Sequence, residues 1–356
     1  MDTKPNPKDS MKSTWRNDKS QWGFWHYLYE WFSIMPTIPG RETPVHSKDD
    51  PIPWMSDWQL QKWVISHAIL PLALQQLIVY TTGYNFGRLA AFFYYSIWFK
   101  AIAIHELVLI RHLGHIYGFF DGDSHARDEV PDWSVGKVIR SLIATSSGRP
   151  MMAVMISYSK AKAPSSIDWF WLPIEIGLYG IILDFWFYWY HRLMHDVDWL
   201  WRYHRTHHLT KHPNPLLTLY ADTEQEIMDI AGIPLLTYVT MKYGMGMPMG
   251  FYEWWIAHMY VVFSELFGHS GVRVLGSPPS TLTWLLRWTG TELVIEDHDL
   301  HHRKGWKKSF NYGKQTRLWD VIFGTARDRI ECIPKNLDYN TVVELPLLSM
   351  PNLPSS

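Results

Sequence analysis

Histidines recur in this sequence at spacings that suit metal binding. Six of the 18 histidines lie between residues 184 and 212. The run HRLMH contains His191 and His195, and the run HRTHH contains His204, His207 and His208. Residues three and four apart share one face of a helix, so each run is expected to present its imidazoles side by side. This arrangement predicts a metal site.

The same spacing returns much later in the chain. The run HDLHH contains His298, His301 and His302, and a lone His269 lies between the second and third runs. A single pair of histidines four residues apart often arises by chance, on a surface or in a core. Three runs that share one geometry argue against chance, so we expect all nine histidines to bind metal.

The composition limits which metal these histidines would bind. The chain has one cysteine, Cys332, which excludes an intrachain disulfide, a thiolate-held iron–sulfur cluster and a zinc ribbon. Nitrogen and oxygen ligands suit iron, copper or zinc. Nine histidines exceed the six positions of one octahedral ion, and zinc ordinarily needs three protein ligands to activate water. The ligand count therefore favours two iron ions.

The order of the three runs resembles a known family. HRLMH is followed within a dozen residues by HRTHH and much later by HDLHH, and the tail contains NYG at 311–313, WD at 319–320 and FGT at 323–325. This pattern resembles the fatty acid hydroxylase and sterol desaturase superfamily over residues 169–329. The resemblance implies a membrane-bound, di-iron oxygenase.

The resemblance also implies a reaction and its partners. Such enzymes use dioxygen to hydroxylate or desaturate an unactivated C–H bond of a fatty acyl, sphingoid, sterol or similar hydrophobic substrate, and both reactions stay open here. The chain has neither a G-x-G-x-x-G dinucleotide fingerprint nor an HPGG haem-binding motif. Electrons would therefore come from cytochrome b5 with an NAD(P)H-dependent reductase, or from a similar donor, at the endoplasmic reticulum membrane.

Several carboxylates could support the ligand histidines, because metal-bound imidazoles usually donate their other N–H to an acceptor. Asp184 lies on one helical stripe with the first run, and Asp222 and Glu226 begin an acidic stripe soon after the second. Glu265 lies four residues before His269, where some relatives have a further histidine. We expect Glu265 to accept an imidazole N–H, with a ligand role and a simple replacement as alternatives.

His258 precedes Glu265 by two helical turns. It is either a tenth ligand or an interfacial histidine.

Apolar stretches predict an all-α integral membrane bundle with about four transmembrane helices and a cytosolic, histidine-rich, metal-binding cap. Residues 63–87 carry no charged side chain, and 89–110 form a second stretch that includes Lys100, His105 and Glu106. Residues 169–190 form a third. The segments 227–243 and 251–267 are either two tilted spans or a hairpin that enters the bilayer and returns.

The sequence divides into five regions on this interpretation. The first 20 residues are polar and are expected to be disordered. Loop signals at DGDSH and SSGRP place most of the third region outside the hydrocarbon. The regions are a cytosolic N-terminal region (1–60), two transmembrane helices (61–110), a polar connection (111–168), a fatty acid hydroxylase-like di-iron domain (169–330) and a C-terminal tail (331–356).

Charge gives the orientation and excludes one class of partner. A net charge of −1 and a pI of about 7.0 argue against nucleic-acid binding. Bases flank the histidine runs, and they prefer the cytosolic side, so we expect the metal site and both termini there. These bases are Arg192, Arg202, Arg205, Lys211, Arg303, Lys304, Lys307 and Lys308.

Two rival functions stay open. A histidine-rich membrane metal transporter or metal-binding protein is the main alternative, although a transporter would place its ligands at the bilayer midplane. A zinc hydrolase is disfavoured because the sequence has no H-E-x-x-H.

Overall fold

Helices form most of the chain in the computed structural model, which describes residues 6–122 and 126–353. The longer helices are α1 (Phe24–Trp31), α2 (Asp57–Thr82), α3 (Arg88–Tyr117), α4 (Val135–Ser157), α5 (Leu172–Asp196) and α9 (Phe251–Gly268). The shorter ones are α6 (Asp198–His204), α7 (Thr223–Ile227), α8 (Ile233–Val239), α10 (Thr283–Trp288), α11 (Ile295–Lys304) and α12 (Leu318–Ile322). Two strands, β1 (Ile52–Trp54) and β2 (Leu337–Val342), pair in parallel.

α2 and α3 are long and apolar enough to cross a bilayer. They have 26 and 30 residues, with mean hydropathies of 1.4 and 1.3 over their most apolar windows. The Ser56 side chain accepts the Gln59 N–H and begins α2, and Gly83, with a φ of 71°, ends it. Among the described residues these two helices alone meet both criteria, whereas about four spans were predicted.

The loop predicted at SSGRP was wrong. Residues 146–150 lie in the middle of α4, which packs along α3. Pro150 is tolerated because α4 is held by its neighbours, and Arg149 on the same turn is almost fully buried. The polar character of this segment therefore marks a buried polar face of a helix. The other loop signal, DGDSH, lies partly outside the described residues.

The segment after the second histidine run forms two helical arms joined by a turn, here called the hairpin, and both arms pack on α5. A first arm runs through α7, a π-helical turn at Met228–Gly232, α8 and a second π-helical turn at Thr240–Gly244. After a turn the chain returns as α9, in which every residue is buried. Because π-helical turns often occur at functional sites, the turn at 228–232 is a candidate functional element of the bundle.

The N-terminal region is ordered where it is described, contrary to the expectation for residues 1–20. Trp15 is buried and donates its indole N–H to the Val130 carbonyl at 2.9 Å. Asp9 forms an ion pair with Arg205 at 2.6 Å. Of the three short 3₁₀ turns in this region, Pro7–Asp9 contacts the histidine-rich part of the chain and Trp15–Asn17 packs against residues 129–132, while Lys19–Gln21 pairs with Glu30.

Candidate metal centre

The nine predicted histidines meet in two adjacent groups. In each group, one ring nitrogen from every member lies within 4.8 Å of those of the other members. All nine side chains are buried. The five-histidine group contains His191, His195, His204, His208 and His301, and the four-histidine group contains His207, His269, His298 and His302.

Five segments bring these side chains together. α5 carries His191 and His195 on one face, as predicted, and α11 carries the whole third run. The second run is not one helix, because α6 ends at His204 and a 3₁₀ turn begins at His207. The break separates neighbours: His207 joins the four-histidine group and His208 joins the other.

Hydrogen bonds orient seven of the nine imidazoles. In these seven, Nδ1 lies 2.6–3.2 Å from an acceptor oxygen, so Nδ1 carries the proton and Nε2 carries a lone pair. Six acceptors are main-chain carbonyls and one is a side chain. The pairs are His191 with Tyr312, His195 with Trp306, His207 with Tyr220, His269 with Glu265, His301 with Phe310, His302 with Thr210, and His204 with the Gln225 amide oxygen.

The free nitrogens form a donor set that fits metal ions. The Nε2 atoms of His207 and His269 are 3.2 Å apart, and both rings already donate through Nδ1, so two lone pairs face each other. Such a contact is repulsive unless a cation lies between them. The buried Nε2 atoms of His191, His195, His204 and His302 also have no hydrogen-bond partner among the described residues. Buried polar atoms without partners are costly, and bound metal would satisfy them.

Burial keeps these imidazoles neutral, which is the form that binds metal. It lowers the pKa of His207 to about 3, and the neighbouring His269 adds to the effect. It also lowers the pKa of His302 well below its usual value, with further contributions from nearby histidines.

Asp184 supports the histidines indirectly, through a loop that it holds by hydrogen bonds. Its carboxylate accepts the main-chain N–H groups of residues 314–316 at 2.8–3.1 Å and the Thr316 hydroxyl at 2.8 Å. Asp320 similarly accepts the N–H groups of Tyr312 and Gly313, each at 2.8 Å. Together the two carboxylates fix the loop whose Tyr312 carbonyl orients His191.

The sequence offers Asp222 and Glu226 as possible acceptors of an imidazole N–H, but in the structure neither of them accepts one. Asp222 binds Lys137 at 2.9 Å and the Thr206 hydroxyl at 2.8 Å, and Glu226 lines a cavity beside the histidines. Gln225 between them takes the expected role, since its amide oxygen lies 2.9 Å from Nδ1 of His204. Nothing in the sequence distinguishes this neutral residue as an acceptor beside its acidic neighbours.

Glu265 also has partners other than those predicted. Its main-chain carbonyl accepts the His269 N–H at 2.7 Å, but its carboxylate forms ion pairs with Arg149 and Lys314, both at 2.8 Å. All three side chains are buried. His258 is buried nearby and belongs to neither histidine group, which argues against its role as a tenth ligand.

A cavity of about 50 Å³ connects the histidines with this charged cluster. Five histidines from both groups reach its wall, and α4 and the first arm of the hairpin form the opposite side. Its polar lining includes Arg149, Gln225, Asp229, Glu265 and Lys314. Phe187, beneath the Lys314 ammonium at 3.8 Å, supplies an apolar face.

Gln225→Ala is expected to lower turnover by about 10- to 100-fold, because outer partners of metal-binding imidazoles typically matter by that factor. His204 would lose the acceptor that orients it. Gln225→Glu is the matched control, since a carboxylate can still accept the imidazole N–H. Turnover per bound metal ion, measured for both variants in purified protein, checks the prediction, and equal rates for Gln225→Ala and the wild type would contradict it.

Comparisons with known proteins agree with this geometry. The family model described as "Fatty acid hydroxylase" matches residues 176–325. The fatty acid hydroxylase vlmA of a Lecanicillium species is 41% identical over 331 residues, which cover 89% of this chain and 90% of that protein. Methylsterol monooxygenase 2-1 of Arabidopsis thaliana is 30% identical, over 50% of this chain and 64% of the relative.

A more distant relative has a third kind of activity in its name. The Delta(7)-sterol-C5(6)-desaturase of Nicotiana tabacum is 25% identical, over 47% of this chain and 55% of the relative. No solved structure matches the chain. Hydroxylases, monooxygenases and desaturases are oxidoreductases, and so is this protein. The resemblance predicted from the three histidine runs is confirmed: the chain belongs to the fatty acid hydroxylase family.

Proposed function

We propose that the protein is an integral membrane oxygenase that uses two iron ions and dioxygen to hydroxylate or desaturate an unactivated C–H bond of a lipid-like substrate. The substrate is a fatty acyl chain, a sphingoid base, a sterol or a similar hydrophobic metabolite. The division of nine buried histidines into groups of five and four carries this proposal. The fatty acid hydroxylase and methylsterol monooxygenase relatives support a lipid as substrate.

The ligand count favours two iron ions. Five and four nitrogens would leave about one and two positions on six-coordinate ions, which dioxygen, water or substrate could take. Structural zinc is ordinarily four-coordinate, so it does not explain the five-histidine group. When bound, the irons would supply the reductive activation of dioxygen, for which protein side chains alone have no means.

The chain's own residues hold and shield this site. The nine imidazoles bind the ions, and the seven Nδ1 hydrogen bonds fix the ring orientations. Asp184 and Asp320 hold the loop that reaches His191. Burial of all nine side chains limits the access of water, so oxidation is directed toward a substrate in the adjoining cavity.

We further propose a multi-pass protein of the endoplasmic reticulum, with the histidines and both termini on the cytosolic side. α2 and α3 would cross the bilayer, and α5 and the hairpin at 223–268 would provide further membrane-embedded helices. Exposed apolar side chains on these later elements support this, among them Ile174, Leu235, Leu236 and Val239. Most of the flanking bases named above lie beside the histidine runs.

The domain boundaries and the electron donor are part of the same proposal. The di-iron domain would span residues 169–330, although the wall formed by α4 comes from the region before it. Cytochrome b5 with an NAD(P)H-dependent reductase, or a similar donor, would supply the electrons. This follows from the family resemblance and from the lack of a dinucleotide-binding fingerprint in the sequence.

We expect purified, active protein to contain close to two iron atoms per chain, because one ion cannot occupy both histidine groups. Metal analysis by mass spectrometry, together with lipid profiling of cells with and without the protein, tests this. One zinc and no iron in active preparations would contradict the proposal. Tight metal binding with an unchanged lipid profile would instead support the rival function, a membrane metal transporter or metal-binding protein.

A further inference from the structure

Arg149 lines the cavity, and part of its guanidinium group lacks hydrogen-bond partners among the described residues. It is only 1% exposed. Its Nη2 donates to both carboxylate oxygens of Glu265, at 2.9 and 2.8 Å, and to the main-chain carbonyl of Asp229 at 3.0 Å. Nε and Nη1 have no partner among the described residues. Buried donors of a charged group are costly to leave unsatisfied, so these two atoms indicate a ligand.

Asp229 brings an unsatisfied acceptor to the same cavity. It lies in the π-helical turn at Met228–Gly232, and its Oδ2 accepts the Gln225 amide N–H at 3.3 Å. Its Oδ1 is buried and has no partner within the described part of the chain. Arg149 on α4 and Asp229 on the first arm of the hairpin therefore both line the cavity beside the histidines, and both carry buried polar atoms without partners among the residues that the structure describes.

The charges of the wall favour a neutral ligand. Arg149 and Lys314 contribute two cations, and Glu226, Asp229 and Glu265 contribute three acidic side chains. Both cations are already paired with Glu265, so these side chains are not free to bind an anion, and any attraction for an anion would come from the ions in the histidine groups. A hydroxyl group carries one donor and two lone pairs, so it can donate to Asp229 Oδ1 and accept from Arg149.

We propose that Arg149 and Asp229 form a polar subsite that binds a hydroxyl group of the lipid substrate. This inference rests on the proposed function, and it assigns to the two residues the selection of the carbon that faces the histidines. They are positioning residues. The cavity, at about 50 Å³, is far below the 300–1,000 Å³ of a typical small-molecule pocket, so it admits the polar end of a lipid rather than its chain.

The remainder of the substrate would enter between α4 and the first arm of the hairpin. Ile230 lines the cavity, and the nearby Ile143 and Ile227 are exposed. An apolar chain can therefore lie along the outside of this gap while its hydroxyl group reaches Arg149.

Binding of three matched probes tests the subsite. Radiolabelled 1-hexadecanol, hexadecane and hexadecanoic acid are each titrated against the iron-loaded protein in lipid nanodiscs, with empty nanodiscs as the background. A hydrogen bond to a charged group corresponds to a factor of about 10 to 100 in affinity. We expect wild-type protein to bind the alcohol at least about tenfold more tightly than the alkane, and more tightly than the acid.

Two variants remove the subsite while preserving its surroundings. Arg149→Lys keeps a cation beside Glu265, and Asp229→Leu keeps the branching of the side chain at Cγ while it removes both oxygens. Both should reduce the preference for the alcohol to about threefold or less, and products from Arg149→Lys should be oxidised at a wider range of carbons. Asp222→Asn is the control, because Asp222 binds Lys137 outside the cavity, and it should keep the wild-type preference.

The outcomes separate this inference from the proposed function. His301→Ala should lose turnover but keep the preference for the alcohol, whereas retained turnover would contradict the proposed function alone. Equal binding of alcohol and alkane to wild-type protein would overturn the subsite and mean that the free atoms bind only water. A preference for the acid, or an unchanged preference in both subsite variants, would also overturn it.

Discussion

His301→Ala is expected to abolish substrate oxidation while the protein still accumulates in membranes. The His301 ring belongs to the five-histidine group, its Nδ1 donates to the Phe310 carbonyl at 2.6 Å, and its Nε2 lies 3.0 Å from that of His208. Removal of this nitrogen changes the coordination on which the proposed iron chemistry depends. Product formation measured by mass spectrometry, normalised to immunoblotted protein, provides the measurement.

His67→Ala is the control for this variant. His67 lies in α2, stacks on Trp63 with ring centroids 4.0 Å apart, and belongs to neither histidine group. Turnover per protein molecule should stay near the wild-type value. If oxidation instead survived in His301→Ala and disappeared in His67→Ala at equal protein levels, the assignment of the site to the two histidine groups would be wrong.

Glu265→Ala should lower the free energy of unfolding by about 3–5 kcal/mol, the usual cost of leaving a buried charge without its partner. Arg149 and Lys314 would both lose the carboxylate that neutralises them, and both are buried. The loss should appear as a lower thermal unfolding midpoint in detergent and as reduced accumulation in cells.

Glu253→Ala is the matched control, because Glu253 is also a buried acid on α9. Its carboxylate accepts the main-chain N–H groups of Gly250 and Asp168, at 3.1 and 3.0 Å, so its removal exposes no buried cation. A smaller loss of stability is expected there. Equal losses in the two variants would show that the Arg149–Glu265–Lys314 cluster is not a special source of stability.

The sequence was sufficient to find the nine histidines that meet in the two groups. Histidine can bind metal and is recognised directly in a sequence. A spacing of three or four residues places histidines on one face of α5 and on one face of α11. The mainly helical fold follows from the same local rules. The distribution between the groups did not follow, because helical periodicity does not show that α6 ends at His204 and that a separate 3₁₀ turn carries His207 and His208.

The acceptors around the imidazoles could not be predicted from residue type. Six of the seven are main-chain carbonyls, which every residue carries, so no side chain marks them. The seventh acceptor is the side-chain amide oxygen of Gln225. Gln225 is neutral and lies between acidic residues, and the acidic residues were the ones predicted as acceptors. Arg149 was missed because a polar segment with Gly148 and Pro150 has the composition of a loop, and only packing against α3 and α9 makes it a helix.

In two pairs of adjacent histidines, the two members belong to different groups. These pairs are His207 with His208, and His301 with His302. One peptide unit separates the members of each pair, so a displacement of one imidazole moves the backbone of a ligand in the other group. The two proposed ion sites would therefore be linked thermodynamically, and an ion in one group would preorganise the other. Metal uptake should be cooperative, and a chelator should strip both ions in one transition, with little singly loaded protein between the two end states.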